Sequence, residues 1–290
     1  MKYSEDLVAS TSLSDGAMRN LHIWGSRNPG PLLLCVHGGM AHAGDYVTMG
    51  VSFRAYDYTT VSIELTGHQG QRRVIIESFA DFAADVRAMI KYVATEYPNR
   101  PWFLVGHSMG ALILSQLALS GTLPKNDPFC GFVFSSPYWD SAIAVPWHLR
   151  LLSGVVARMA PTRDIPIEDF VDYLTHDETI TARHRQDEAE DVRAREVSAR
   201  FGHELLKAQR FVSRRMGDWK DPLLLIKPGD DRLANTESTT RLSTLIPDQH
   251  LSVLSYPDNY HENFNELNRE EVFMEMRDWM QQRIEENQAI

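Results

Sequence analysis

A serine hydroxyl is a poor nucleophile at neutral pH. It acts only when a base lies beside it, and the base needs an acid to orient it. The chain holds residues of these types at telling positions. Ser108 stands in Gly106-His107-Ser108-Met109-Gly110, after the apolar run 102–105 and before the helix-forming run 111–118. A G-x-S-x-G pentad between strand and helix is the pattern of a nucleophile elbow, whose glycines leave room for a sharp, strained turn. The competing reading is a serine in an ordinary tight turn. An acid and a histidine follow in the order such a site needs, each after an apolar run: Asp230-Asp231 after 223–226, and His261 after 251–254.

His261 is one of eleven histidines, and a single histidine is most often structural. It alone sits in the loop between the last apolar run and the last helix. His250 precedes that run, and His107 should point away from a nucleophile at the apex of its turn. Spacing leaves Asp230 and Asp231 undecided as the acid. The developing oxyanion needs two donors. One is the backbone N–H of Met109; the second should come from the turn His37-Gly38-Gly39-Met40.

These residues need a scaffold that brings strand ends together. Continuous apolar runs at 32–36, 59–65, 102–106, 131–135, 223–226 and 251–254 suit strands covered on both faces. Helical periodicity at 79–97 and 271–284 supplies crossovers, with Ser78 and Asp81 as N-terminal caps. Residues 11–24 predict an antiparallel hairpin. The expectation is an α/β fold with a mostly parallel central sheet flanked by helices. Residues 138–220 break the rhythm and show no convincing strand. They predict a helical cap inserted into a core of 1–137 and 221–290. Trp139, Ile143, Trp147 and Leu152 in its apolar part are candidates for an acyl pocket, or simply for packing. The charged part, 177–215, reads as a solvated face.

With 290 residues, 43% apolar and 23% charged, the chain can bury one large domain. A net charge of −10 disfavours nucleic-acid partners and docking on anionic lipid. Cys35 and Cys130 fall in apolar runs and read as buried thiols, without a disulfide framework or metal cluster. No signal peptide or membrane span is visible, which predicts a cytoplasmic protein without stable membrane insertion. The composition is silent on oligomeric state.

The pieces together resemble the monoacylglycerol lipase and lysophospholipase-like group of α/β hydrolases, of serine aminopeptidase S33 type. The motifs are HGG at 37–39, ELTGHQG at 64–70, SFADFAADV at 78–86, VGHSMGA at 105–111, SSP at 135–137, YLTHDETITARHRQDE at 173–188, LLLIKPGDDRL at 223–233 and YHENFNE at 260–266. The resemblance implies Asp231 as the acid, His261 as the base, and Gly39 and Met109 as oxyanion donors. It also implies a cap over the site and no metal or organic cofactor. Departures are ELTGHQGQ where the family has D-x-x-G-H-G-x-S, and Pro228 in place of a glycine. The turn at Gly38-Gly39-Met40 lacks the continuations of hormone-sensitive-lipase-like enzymes and proline iminopeptidases.

The implied activity is hydrolysis of a carboxylic ester through an acyl-enzyme, with a monoacylglycerol or lysophospholipid as substrate. Alternatives are a small-ester, lactone or amide hydrolase with a narrow pocket, and a non-catalytic binding relative. Transacylation would use the same residues.

Overall fold

The computed structural model describes residues 2–68, 70–125, 128–143, 146–165 and 167–288. Val145 and the side chain of Leu149, part of the apolar run of the insert, lie outside the described residues. In chain order the strands are β1 (Leu7–Ser12), β2 (Met18–Trp24), β3 (Leu32–Val36), β4 (Thr59–Ile63), β5 (Arg73–Val74), β6 (Trp102–His107), β7 (Phe129–Ser135), β8 (Asp164–Ile165), β9 (Glu196–Ser198), β10 (Leu223–Pro228) and β11 (Leu251–Tyr256). The helices are α1 (Val47–Arg54), α2 (Ala80–Glu96), α3 (Met109–Ser120), α4 (Trp147–Met159), α5 (Glu178–Ala189), α6 (Ala199–Arg215), α7 (Thr236–Ser243) and α8 (Arg269–Gln288).

Eight strands form one sheet in the order β1-β2-β4-β3-β6-β7-β10-β11. The hairpin β1–β2 and its junction with β4 are antiparallel, and every later pairing is parallel. The apolar strands divide their side chains between two cores, as period-two geometry requires. Leu32, Leu34 and Val36 face one core with Phe82, Val86 and Met89 of α2. Leu33 and Cys35 face the other with Val272, Phe273, Met276 and Met280 of α8. Asp81 accepts from the amides of Glu77 and Ser78, and Ser78 Oγ from that of Ala80, closing the start of α2. The parallel order places the C-terminal ends of β3, β6, β10 and β11 along one edge of the sheet, where ligands of open α/β sheets bind.

The insert departs from its expected form in two ways. It contains β8 and β9, which form a separate three-stranded sheet with β5 in the order β5-β9-β8. Strands of two or three residues carry no periodic signal, so the pattern hid them. The charged half is also not simply a solvated face. His184 and Asp187 of α5, Arg193, and Glu204 of α6 are buried, because each finds a partner on the core or the insert. Helix α6 packs on α3 and α4, and its Phe201, Ala208 and Val212 join the core under α2. Among the described residues no helix is long and apolar enough to cross a membrane.

Candidate functional site

Strand β6 ends in an abrupt turn. Ser108 adopts φ 53° and ψ −117°, and α3 begins at the next residue. A non-glycine residue there costs on the order of 1–3 kcal/mol and persists because its neighbours hold it. Ser108 N–H donates to Ser135 O at 3.0 Å, and its carbonyl accepts from Tyr138 N–H at 3.1 Å. The flanking glycines are steric requirements. A Cβ on Gly110 would lie 1.9 Å from Val36 O, and one on Gly106 2.7 Å from Ala111 Cα.

Direction separates the two aspartates. Asp231 Oδ2 lies 2.8 Å from His261 Nδ1, while its Oδ1 accepts from Leu233 N–H at 2.8 Å and Ala234 N–H at 2.9 Å. Its side chain is 1% exposed, whereas that of Asp230 is 55% exposed and faces Arg232. Burial alone would raise the pKa of Asp231, but His261 and the two amides outweigh it and hold the carboxyl below its usual value. An Asp231 carboxylate accepts from Nδ1–H, which leaves Nε2 with the lone pair a base needs.

The loop carrying His261 is held from behind. Ser136 Oγ donates to His261 O at 2.5 Å, and the Asn263 amide donates to the hydroxyls of Ser135 and Ser136. These serines are the SSP segment, whose role was not legible in the sequence. His107 lies against this loop. Its ring meets the ring of His261 edge-on at 4.8 Å. Burial, reinforced by His261, pushes its pKa down to about 4 and keeps it neutral.

Ser108 and His261 open into one cavity of about 230 Å³, together with Gly39 and Met40. Among the described residues Ser108 Oγ makes no hydrogen bond. The N–H of Met109 opens α3 and so has no acceptor within the helix. Gly39 abuts Met109, whose Sδ would lie 3.6 Å from an added Cβ. His37 fixes this turn: its Nε2 accepts from Leu65 N–H at 3.1 Å. Its Nδ1–H therefore donates to Gly38 O at 2.8 Å.

The cavity wall is not built from the four insert residues named above. Trp139 is buried in the core, its Nε1–H donating to Ser115 Oγ. Ile143, Trp147 and Leu152 are exposed, Trp147 by 73%, and none of them lines the cavity. Its apolar lining includes Ile167, Phe170, Val171 and Leu174, between β8 and α5, together with Leu233. Their i, i+3, i+4, i+7 spacing is that of a helical stripe, although only Val171–Tyr173 forms a short 3-10 turn, and such a stripe does not tell a cavity wall from core packing.

The altered ELTGHQG segment places a carboxyl deep in the structure. Burial pushes Glu64 up to about 7 from 4.5, although Oε1 accepts from Ala43 N–H. The folded chain therefore holds this proton to higher pH than the unfolded chain. Stability contributed by the protonated group is complete below about pH 4.5, falls as pH rises towards 7, and levels off above. Glu64→Gln keeps the acceptor and removes this loss. Its Tm should match wild type at pH 4.5 and exceed it at alkaline pH by the equivalent of about 3 kcal/mol; a gain independent of pH would contradict the assignment.

Among the described residues, His42, Asp45 and Asp187 have ligand atoms within 4.8 Å of one another. They do not fit a metal. Lys2 Nζ lies 2.8 Å from Asp187 and Arg193 2.8 Å from Asp45. His42 Nδ1 accepts from Gly44 N–H, so Nε2 carries a proton and has no lone pair to offer.

The family described as serine aminopeptidase, S33, matches residues 27–268. Phospholipase YtpA of Bacillus subtilis is 28% identical over 265 residues, 90% of this chain and 99% of that protein. Human monoglyceride lipase is 27% identical over 262 residues, 88% of this chain and 84% of that protein. Among solved structures, the monoacylglycerol lipase of Paleococcus ferrophilus superposes with a TM-score of 0.75 at 20% identity, covering 91% of this chain and 98% of that one. The elbow at Ser108, the sheet order and the match over residues 27–268 agree, and the chain belongs to the serine aminopeptidase S33 family of α/β hydrolases.

Proposed function

We propose that this chain hydrolyses carboxylic esters through an acyl-enzyme formed on Ser108. The observation that carries the reading is His261, tied to Asp231 at 2.8 Å, opening into the same cavity as the strained serine. His261 Nε2 takes the proton of Ser108 as Oγ attacks the ester carbonyl. Asp231 stabilises the resulting imidazolium without taking its proton. The amides of Met109 and Gly39 receive the oxyanion. The alcohol leaves with the proton from His261, and water, deprotonated by the same imidazole, releases the acid. None of these steps calls for a metal or an organic cofactor.

Residues 138–220 act as the cap, with Ile167, Phe170, Val171 and Leu174 against the acyl group. The substrate we favour is a monoacylglycerol or a lysophospholipid, a reading supported by the relatives named monoglyceride lipase and phospholipase. The cavity of about 230 Å³ is smaller than the roughly 300–1,000 Å³ usual for ligand pockets. That observation favours the second reading, a small-ester hydrolase. We place the reaction in the cytoplasm, consistent with two free, buried cysteines.

A panel of p-nitrophenyl esters, monoacylglycerols and lysophospholipids separates the readings. The lipid reading predicts kcat/KM rising from acetate through octanoate, by about tenfold for each few buried methylenes. Activity confined to acetate and butyrate would establish the small-ester reading instead.

A further inference from the structure

Arg193 lies where the insert meets both loops of the candidate site. It is 5% exposed. Its Nη1 donates to Asp45 Oδ2 at 2.8 Å and its Nη2 to Glu262 Oε1 at 3.3 Å. Asp45 belongs to the short 3-10 turn Ala43–Tyr46 that follows the Gly38-Gly39-Met40 turn. Glu262 is the residue after His261. The neighbouring Ala194 N–H donates to Met40 O at 3.1 Å, and Glu262 N–H donates to Leu174 O at 2.8 Å. Glu262 Oε2 also accepts from His184 Nε2 at 2.9 Å and Asn265 Nδ2 at 2.7 Å. One guanidinium thus spans the oxyanion turn and the base loop, from a segment of the insert that also lines the cavity.

Three buried charges at this junction are costly unless each is paired. Burial opposes ionisation of Glu262, yet His184 and Arg193 hold its carboxyl well below the usual range. Burial likewise opposes ionisation of Asp45, and Arg193 does most to overcome it. The planar fork of arginine fixes two carboxylates at a set separation, which a lysine point charge cannot do.

We propose that Arg193 is a positioning residue: by bridging Asp45 and Glu262 it sets the spacing between the Gly39 turn and the His261 loop, and ties that spacing to the seating of the insert. The proposal rests on the ester-hydrolase reading of Ser108 and His261. It accounts for a buried cluster that the catalytic steps do not use.

The test compares Arg193→Met, Arg193→Lys and Arg269→Met. The last removes a different contact between insert and core, Arg269 to Asp177 at 2.7 Å. On a short-chain p-nitrophenyl ester, Arg193→Met should lower kcat by about 10–100-fold with KM nearly unchanged, the size expected of a small misplacement of reacting groups. Arg193→Lys should recover part of the loss. Arg269→Met should lower Tm but leave kcat within about twofold. Arg193→Met with unaltered kcat, or a kcat loss equalled in Arg269→Met, would overturn the proposal and leave only a structural role.

Should Arg193→Met fail to fold, Asp45→Asn breaks one arm without changing shape. Its kcat loss should be non-additive with that of Arg193→Lys, and strict additivity would count against the bridge. The downfield Nδ1–H proton resonance of His261 separates this proposal from the activity reading. If wild type turned over no ester, that reading would fail by itself. An unchanged His261 resonance in Arg193→Met would still overturn the positioning role.

Discussion

Ser108→Ala should lower kcat for ester hydrolysis by roughly 10⁴–10⁶-fold and abolish labelling by a fluorophosphonate probe, with the fold intact. The expectation follows from chemistry that no neighbour can replace. In the proposed reaction the attack requires an oxygen at the apex of the elbow, and removing it would leave only substrate binding and the amides proposed to hold the oxyanion. The fold should survive because among the described residues the hydroxyl makes no hydrogen bond, while the backbone contacts to Ser135 and Tyr138 remain. Alanine meets the same strain at φ 53°, so Tm should stay close to wild type. Labelling kinetics, turnover and a thermal melt on one preparation decide the matter. Turnover above about one per cent of wild type would place the nucleophile elsewhere.

Asp231→Asn should cost about 10⁴-fold in kcat, whereas Asp230→Asn should leave turnover within about twofold. The asparagine carbonyl can still accept from Leu233 and Ala234, as Oδ1 of Asp231 does. Its amide would then present N–H towards His261 Nδ1, favouring the imidazole tautomer with its proton on Nε2. That tautomer cannot accept a proton from Ser108. Asp230 is 55% exposed and has its carboxylate 4.0 Å from Arg232. The stability consequence has a definite sign. The folded pKa of Asp231 lies below its ordinary 3.8, so its stabilisation is present above that value and disappears as pH falls through the folded pKa. The Tm deficit of Asp231→Asn should therefore be visible at neutral pH and shrink in strong acid. Equal kcat losses at positions 230 and 231 would refute the assignment.

Much of this was legible because it depends on short stretches of chain. A run such as 32–36 suits a strand buried on both faces, and the two cores divide its side chains accordingly. The glycines around Ser108 mark a turn where Val36 O and Ala111 Cα leave no space for a Cβ. The order of serine, aspartate and histidine, each after a strand, followed from the same local signals. Even the closing helix was in place, although it runs to Arg269–Gln288 rather than 271–284.

The remainder depended on which distant residues meet. Asp230 and Asp231 are chemically identical neighbours, and the turn beside Tyr256 and Pro257, where Gly229 N–H donates to Tyr256 O, decides which one faces His261. The pocket wall lies at 167–174 rather than in the more apolar stretch after Trp139, because position over the sheet edge, not hydrophobicity, brings a residue to the cavity. The charged stretch after 177 looked solvated because its partners are far away in sequence: Arg193 meets Asp45 and Glu262, and Asp187 meets His42 and Lys2. Local periodicity records which side of an element is buried. It carries no record of which charge arrives from across the fold to make that burial tolerable, and that was settled by tertiary contact alone.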